Sequence, residues 1–191
     1  MEQPFSNSVS GTLNTAVGLV TDKLYDGNQK VTGIKGFDCG NTIINKFVHS
    51  SLKAKGKSAN SAVTVLLDES RDSKLVGFYT ISAHSLERDG YSLTGLFGSL
   101  PRNVPVLKLD MLGVDIHYQK QGYGEELVAL AMEKTAVLAK AIGCYGLFLD
   151  ADKDALNFYK KLGFVPVGNP DETYGSTPMF LHLNAILDAI D

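Results

Sequence analysis

Two glycines, Gly122 and Gly124, lie in the segment QGYGEELVALAM, directly before a stretch with the apolar periodicity of a helix. Glycine has no Cβ, so it adopts backbone angles closed to other residues and lets a ligand approach the main chain. The first-turn amides of a helix have no intrahelical acceptors and lie at the positive end of the helix dipole. The spacing is therefore consistent with either a tight turn or a backbone cradle for a phosphate group.

Two other phosphate-binding motifs are excluded by the residues around the glycines. A Rossmann fingerprint requires a third glycine, and Leu127 stands at that position. A P-loop requires Gly-x-x-x-x-Gly-Lys-Ser/Thr, and the chain does not contain that pattern. What remains is Gln-x-x-Gly-x-Gly, beginning at Gln119, between a predicted strand and a predicted helix.

The elements that precede this motif begin with a weakly patterned segment. Residues 1–30 are polar and rich in Ser, Asn, Gly and Thr, which predicts an N-terminal extension with at most one early strand. In FDCGNTIINKFVHSSLKAKGK, either Asp38 or Asn41 is available as the N-cap of a helix. One face of this helix is predicted to carry Ile43, Ile44, Phe47, Val48 and Leu52. AVTVLLD and KLVGFYTIS then predict an antiparallel hairpin.

The remaining elements alternate between strands and helices. A loop without clear period, AHSLERDGYSLTGLFGSLPRN, leads to the strand VPVLKLDMLGVD, where Gly113 predicts a bulge or a close backbone approach. The helix after the glycines is predicted to end near Gly143. Four further segments follow. We predict a strand in CYGLFLDA, a helix in KDALNFYKKL, a strand in FVPV, and a strand with a helical tail in PMFLHLNAILDAI. The order predicts a mixed α/β sheet with helices packed on it, in a single domain over residues 31–191.

Composition narrows the class of protein. A chain of 191 residues with 44% hydrophobic and 20% charged residues is typical of a globular domain. A net charge of −3 gives no global basic field, so a nucleic acid would have to bind a local patch. Cys39 and Cys144 have no metal-ligand spacing, which suits a reducing compartment. Because no secretory signal or membrane-spanning run is present, we expect a soluble, cytoplasmic protein.

Two motifs together resemble the GNAT N-acetyltransferase superfamily. The acetyl-CoA signature of that family, Arg/Gln-x-x-Gly-x-Gly/Ala, matches Gln119, Gly122 and Gly124. A second run, Ala-x-x-Phe-Tyr-x-x-x-Gly-Phe, is matched by Ala155, Phe158, Tyr159, Gly163 and Phe164. The resemblance implies acetyl-CoA as cosubstrate and a GNAT-like central mixed, mostly antiparallel sheet with a splayed, bulged strand and flanking helices.

The upstream half narrows the resemblance to one group of GNAT enzymes. Three segments are similar to the TacT and AtaT type of acetyltransferase toxin: FDCGNTIINKF, LVGFYTIS and VPVLKLDMLGVD. The similarity covers residues 31–184. It implies acetylation of the amino group of aminoacyl-tRNA, neutralisation by a ribbon-helix-helix antitoxin, and a homodimer. The pattern of those toxins has Arg where Met111 stands and Ala where Gly113 stands.

Acetyl transfer to an amine requires a neutral amine, stabilisation of the oxyanion, and a proton for the departing thiolate. Tyr159 is the candidate acid, since a tyrosine with a pKa of about 10 is protonated at neutral pH. The alternative is a core tyrosine, because Ala155, Phe158, Tyr159 and Leu162 also form an apolar stripe. No metal is predicted, and the residues expected to contact acetyl-CoA are Leu112, Gly113, Val114, Gln119, Gln121, Gly122, Tyr123, Gly124, Glu125, Asp152, Ala155 and Phe158.

Other polar residues are weaker candidates. His117 could touch a phosphate but is better explained as a solvated loop histidine. His49, His84 and His182 have no metal or triad spacing. Lys53, Lys55 and Lys57 form a basic cluster that is either a solvated helix end or an RNA contact. Asp110 and Asp115 lie near the central strand, but neither is a convincing general base.

Three functions remain open at this point. The first is a toxin that acetylates charged tRNA, and the second is a GNAT enzyme for a small-molecule amine or for a peptide or protein amine. The third is a catalytically silent CoA-binding regulator. Intact glycines at the cradle and the presence of Tyr159 argue against the third.

Overall fold

The computed structural model describes residues 12–15, 18–93 and 99–190, of which residues 12–15, 18 and 19 are described by backbone alone. Its strands are β1 (Thr12–Thr15), β2 (Gly18–Leu24), β3 (Ala62–Asp68), β4 (Lys74–Glu87), β5 (Asn103–Val114), β6 (Gly146–Ala151), β7 (Val165–Pro166) and β8 (Thr177–His182). Its helices are α1 (Thr42–Ser50), α2 (Leu52–Gly56), α3 (Tyr123–Ile142), α4 (Leu156–Lys161) and α5 (Leu183–Ile190).

All the strands of the described residues join in one sheet, in the order β1-β2-β3-β4-β5-β6-β8-β7. Neighbouring strands are antiparallel except β5 and β6, which run parallel. The predicted hairpin is confirmed, since β3 pairs with β4, and β4 in turn pairs with β5 along nearly the whole of both strands. The predicted fold class, a mixed and mostly antiparallel sheet with flanking helices, is confirmed.

The parallel strands β5 and β6 separate soon after they meet. Their pairing comprises Leu107 opposite Leu147 and Lys108 opposite Phe148. Beyond Lys108, β5 continues to Val114 paired with β4, while β6 continues to Ala151 paired with β8. The edge of β5 that faces away from β4 therefore borders an opening between the two strands, which we call the split.

Helices cover both faces of the sheet. On one face, α3 buries Leu127, Val128 and Ala131 in a cluster that also contains Leu147 of β6 and Ile186 of α5. On the other face, α1 and α2 bury residues against β3 and β4 in a second cluster that includes Phe37, Val48, Leu52, Val65 and Phe78. The alternation of side chains along each strand supplies both clusters, because successive residues point to opposite faces.

Helix α1 differs from the predicted amphipathic face at one residue. The Asn41 side chain accepts hydrogen bonds from the amides of Ile43 and Ile44, so Asn41 rather than Asp38 is the N-cap. Ile44, Val48 and Leu52 join the core, but Ile43 is 64% exposed, and its predicted burial is wrong. Successive residues lie about 100° apart around a helix axis, so Ile43 falls outside the stripe that its neighbour occupies.

The first 30 residues contain more structure than predicted. Two strands lie there rather than at most one. Strand β2 pairs with β3 at five positions, from Val20 opposite Asp68 to Leu24 opposite Thr64, and the Val20 side chain is part of the α3-facing core. The sheet therefore extends across the domain boundary predicted at residue 30.

Strand β4 is also longer than predicted. It continues through Glu87 into the segment predicted as a loop, and Ser82 to Glu87 pair with Lys108 to Asn103 of β5. Ala83, His84 and Ser85 are exposed. Three exposed residues in a row hide the alternation that marks a half-buried strand. The backbone pairing with β5 keeps them extended.

Candidate active site

Helix α3 begins with a glycine that leaves its first turn open. Gly122 is in the left-handed conformation with φ 89°, and its carbonyl accepts the amide of Glu126. No side chain caps the helix, and a Cβ at Gly122 would meet nothing within 4 Å. The amides of the first turn have no intrahelical acceptors. They therefore face accessible space at the positive end of the helix dipole, where a phosphate is stabilised.

Gly124 lies where α4 packs on α3, and its φ is not positive. A Cβ there would lie 3.4 Å from Cζ of Phe158, so α4 packs directly on the first turn of α3. Two of the predicted cofactor contacts, Gly124 and Phe158, are thus brought together although they are distant in sequence. The predicted contact Tyr123 is buried, whereas Glu125 is exposed.

The loop before the cradle is held by a buried carboxylate. Asp115 is 1% exposed and accepts hydrogen bonds from the backbone amides of Asp38 (3.3 Å) and His117 (3.0 Å). The Nδ1 atom of His117 also lies 2.8 Å from the Asp115 carboxylate. Asp115 therefore joins the segment before α1 to the loop after β5, and a buried charge of this kind is stabilised by its hydrogen bonds.

The side chains of the two predicted glutamine contacts are already engaged. The Gln119 amide donates to the carbonyls of Cys39 (3.0 Å) and Val114 (2.9 Å). The Gln121 amide donates to the carbonyl of His117 at 3.1 Å. In this conformation both side chains order the loop, so any contact of these residues with a ligand would come from their backbone amides.

The split is bordered by the predicted segment Leu112 to Val114. All three residues pair with β4, opposite Tyr79, Phe78 and Gly77. A Cβ at Gly113 would lie 3.0 Å from Cγ2 of Ile44, so the predicted close approach is confirmed. The bulge of this strand lies earlier, at Asp110, where the register shifts between Met111 and Leu109 and leaves one extra residue.

Tyr159 lies on α4 with its ring in the core and its hydroxyl unengaged. The side chain is 9% exposed and contacts the rings of Phe158 and Phe164 at centroid distances of 5.0 and 5.5 Å. Its hydroxyl has no hydrogen-bond partner among the described residues. Burial raises the pKa of Tyr159 to about 12, so the hydroxyl carries its proton at neutral pH.

The turn before α4 contains the other two predicted contacts. The Asp152 carboxylate accepts the amide of Asp154 at 3.0 Å, and the Asp152 carbonyl accepts the amide of Ala155 at 2.9 Å. Ala155 is the N-cap of α4. Both residues therefore shape the turn that sets Tyr159 on its helix.

A cavity of about 570 Å³ lies on the sheet face opposite α3. Its lining includes His84, Tyr91 and Asp150, and the His84 and Tyr91 rings both contact Phe148. Phe148 pairs with Lys108 at the last position before the split, and Lys108 forms a 2.7 Å ion pair with Asp150. The sequence analysis missed this site, because His84 and Tyr91 lie in the segment predicted as a loop.

The remaining candidates lie elsewhere or have structural partners. His49 donates from Nε2 to the Phe37 carbonyl, and His182 accepts the Asn184 amide at Nδ1. Burial raises the pKa of the half-buried thiols of Cys39 and Cys144.

Over the described ranges, no three His, Cys, Asp or Glu side chains cluster as metal ligands. Of the helices in those ranges, none has the length and apolar character that a membrane crossing requires.

With this geometry in place, the comparisons with known proteins identify the class. The acetyltransferase (GNAT) domain matches residues 59–166, more than half of the chain. The chain therefore belongs to the GNAT family and contains an N-acetyltransferase domain. The predicted superfamily and enzyme class are confirmed.

Its relatives include acetyltransferase toxins. The "Probable toxin TacT" of Sinorhizobium fredii (strain NBRC 101917 / NGR234) is 27% identical over 145 residues, which cover 69% of this chain and 77% of that protein. A crystal structure of a bacterial toxin is 36% identical with a TM-score of 0.86, covering 91% of this chain and 96% of the toxin. The predicted similarity to these toxins is confirmed.

Two structures of a further relative, the toxin AtaT, contain ligands. AtaT complexed with acetyl-methionyl-tRNAfMet is 26% identical with a TM-score of 0.78, covering 90% of this chain and 99% of AtaT. A mutant AtaT bound to acetyl-CoA and to the C-terminus of the antitoxin AtaR is 26% identical with a TM-score of 0.74, covering 90% of this chain and 98% of AtaT. Homologues of this chain therefore bind acetyl-CoA, an acetylated aminoacyl-tRNA and an antitoxin.

Proposed function

We propose that this protein is a toxin that transfers the acetyl group of acetyl-CoA to the α-amino group of an aminoacyl-tRNA and so blocks translation. The observation that carries the proposal is the likeness to AtaT complexed with acetyl-methionyl-tRNAfMet, which extends over 90% of this chain. The intact cradle and the unengaged hydroxyl of Tyr159 support an active enzyme rather than a silent CoA-binding module.

The residues at the split fit acetyl-CoA. Acetyl-CoA supplies the activated acetyl thioester, and its pyrophosphate would be held by the first-turn amides after Gly122, where a Cβ would meet only open space. The free edge of β5 from Leu112 to Val114 would bind the pantetheine arm through backbone groups, as an added strand binds a sheet edge. The absence of a side chain at Gly122 keeps the first-turn amides accessible.

Tyr159 would act as the general acid. Its proton is held at Oη by a pKa of about 12, and the hydroxyl has no competing acceptor among the residues that the structure describes. It would protonate the departing sulfur, and the proton that the new amide nitrogen loses would restore the hydroxyl through solvent. The aromatic neighbours Phe158 and Phe164 fix the ring and so restrict the position of the hydroxyl.

The acceptor amine would approach from the face opposite Tyr159. The cavity at His84, Tyr91 and Asp150 adjoins the split on that face, and Tyr159 belongs to the α3-facing core. Acid and acceptor would thus lie on opposite sides of the thioester. The exposed His84 ring, which stacks on Phe148, would line the path of the amine to this opening.

The partner proteins follow from the same likeness. AtaT is bound to the C-terminus of its antitoxin AtaR. We propose that this protein likewise has a small ribbon-helix-helix antitoxin as partner, and that it forms a homodimer. Co-purification with the product of an adjacent gene, and light scattering of the isolated protein, test these two points separately.

The experiment that tests the main proposal is acetylation of total charged tRNA with isotopically labelled acetyl-CoA. Mass spectrometry of the aminoacyl esters should find N-acetylated products in the presence of the protein, and no such products with heat-inactivated protein. Acetylation of free amines or peptides without any labelled aminoacyl ester would instead support a small-molecule or peptide acetyltransferase.

A further inference from the structure

Two cations contact the ring of the tyrosine that leads into the cradle, and a third lies in the same loop. The Nζ atom of Lys74 lies 5.5 Å, and the Cζ atom of Arg71 lies 5.9 Å, from the centroid of the Tyr118 ring. Lys120 follows two residues later in the same loop, with an exposed side chain and φ 60°. Arg71 and Lys74 come from the turn between β3 and β4 and from the start of β4, so the fold rather than the sequence brings them to this loop.

The Tyr118 ring is held in place from both ends. Its hydroxyl donates a 2.9 Å hydrogen bond to Asp68, a carboxylate that is 2% exposed. Its ring contacts that of Tyr123 edge to face, at a centroid distance of 6.2 Å. Tyr123 is the first residue of α3, so a single ring pair separates the cations from the amides of the cradle.

The local charge is positive although the whole chain has a net charge of −3. Lys74 and Lys120 have no carboxylate partner within the described residues, and Arg71 shares Asp68 with Tyr118 at 3.5 Å. Three cations and one carboxylate leave two positive charges beside the loop.

The other carboxylates of the turn between β3 and β4 do not cancel this charge. Glu69 and Asp72, in the same turn, are bound by Lys23 and Lys30. An excess of cations over a fixed aromatic ring is suited to a compact, doubly charged anion, because such an anion can accept hydrogen bonds from several donors at once.

We infer that Arg71, Lys74 and Lys120 bind the 3′-phosphate of the adenosine moiety of acetyl-CoA. This inference rests on the proposed acetyl-CoA site, because the 3′-phosphate belongs to the same nucleotide whose pyrophosphate the cradle would hold. A phosphate of the RNA backbone is the competing ligand. The convergence of Arg71 and Lys74 on one ring next to Tyr123 favours the phosphomonoester, since an RNA strand would be matched by cations spread along a surface.

The test compares two probes, acetyl-CoA and acetyl-3′-dephospho-CoA, by isothermal titration calorimetry at one salt concentration. The unmodified protein should bind acetyl-CoA about tenfold or more tightly, since hydrogen bonds to charged groups contribute at least this factor. In the Arg71→Gln, Lys74→Gln double variant this preference should disappear, while the affinity for the dephospho compound should be unchanged. Lys140→Gln, an exposed cation in the last turn of α3, is the matched control and should keep the preference.

Each other outcome has a definite meaning. Equal affinity of the unmodified protein for the two probes overturns the inference without affecting the cradle, and this comparison needs no variant. If the preference survives in the double variant but its KM for charged tRNA rises, the cations contact RNA and the inference is wrong. If the unmodified protein binds neither probe, the proposed acetyl-CoA site itself fails.

Discussion

At the scale of single residues, Tyr159 combines two properties that a core tyrosine does not need. Its ring packs like a core residue, yet its hydroxyl has no hydrogen-bond partner within the part of the chain that the structure describes. The hydroxyl oxygen is not one of the fully buried polar atoms without a partner, so it is accessible to solvent or to a ligand. The apolar stripe and the acid role are therefore compatible rather than alternative.

The Tyr159→Phe variant separates the two roles of this side chain. The substitution keeps the ring contacts with Phe158 and Phe164 and deletes the only group that could donate a proton. We expect kcat to fall about 10²- to 10⁴-fold, the usual contribution of general acid catalysis, with acetyl-CoA affinity and melting temperature retained. Steady-state kinetics with a matched thermal melt make the measurement, and a near-parental kcat would contradict the assignment.

The cradle glycine can be tested against a second glycine of positive φ, at the other end of the same helix. Gly122→Asp places a carboxylate against the proposed pyrophosphate position, and aspartate tolerates a positive φ at moderate cost. We expect acetyl-CoA affinity to fall at least about tenfold while the protein stays folded. Gly143→Asp introduces the same residue at a positive φ and into open space, but at the opposite end of α3.

Calorimetric titration of both glycine variants with acetyl-CoA tests whether Gly122 belongs to the binding site. Acetyl-CoA should bind the Gly143→Asp protein as it binds the parent. Unchanged affinity in folded Gly122→Asp would remove the cradle from the proposed site. Similar losses of affinity in both variants would point to a general effect on α3 instead.

At the scale of elements, the site depends on the divergence of β5 and β6 and on the loop between β5 and α3. Hydrogen bonds of Asp115 and Gln119 fasten this loop to the segment before α1. Strand β2 contributes to the same sheet, and Glu69 holds it by accepting hydrogen bonds from Thr21 and Lys23 of β2 and from Ser73. The attachment of the early strand can therefore be measured through one carboxylate.

The Glu69→Gln variant should lose stability at neutral pH but not in strong acid. Hydrogen bonding from Lys23 lowers the pKa of Glu69 to about 2, below its ordinary value of 4.5. Its stabilising effect is therefore complete above about pH 4.5 and disappears as the pH falls through about 2. Because both side chains are partly exposed, we expect a loss of up to about 1 kcal/mol at pH 7.

Denaturant unfolding of the Glu69→Gln protein at several pH values measures this effect. The difference in free energy of unfolding from the parent should shrink as the pH approaches 2. Glu172→Gln is the control, since Glu172 is exposed and has no ion pair among the described residues. A pH-independent difference at Glu69 would show that packing rather than charge holds the early strand.

At the scale of the whole molecule, charge is distributed unevenly. The net charge is −3, yet the cations at Tyr118 and the lysines of α2 form separate positive regions. Lys53 and Lys57 are exposed, whereas Lys55 is half-buried. A polyanion such as tRNA would bind these regions rather than the surface as a whole.

If charged tRNA is the acceptor, its acetylation should weaken steeply with salt. Each phosphate contact releases counterions, so KM for tRNA should rise as a power of the salt concentration, while KM for acetyl-CoA changes less. Charge reversal at Lys53 and Lys57 should raise KM for tRNA further and reduce the salt slope. An unaltered KM and slope in the reversed variant would leave α2 as a solvated helix end.

The local features of the site could be predicted from the sequence. The cradle, the two ends of α3 and the strand around Gly113 all follow from glycine positions and apolar periodicity, which act over a few residues. The family motif adds Tyr159, although periodicity alone would assign that residue to the core. The structure confirms the elements, and the roles of the site residues stay predictions.

Only the tertiary structure decided which distant segments meet. Three features depend on the register between strands. They are the pairing of β2 with β3, the continuation of β4 past its polar residues, and the position of the bulge at Asp110. The convergence of Arg71 and Lys74 on Tyr118, and of His84 and Tyr91 on Phe148, likewise requires the finished sheet. Local sequence patterns do not specify the register between strands, because burial and hydrogen bonding of the whole sheet determine which residues pair. These sites could therefore not be predicted from the sequence alone.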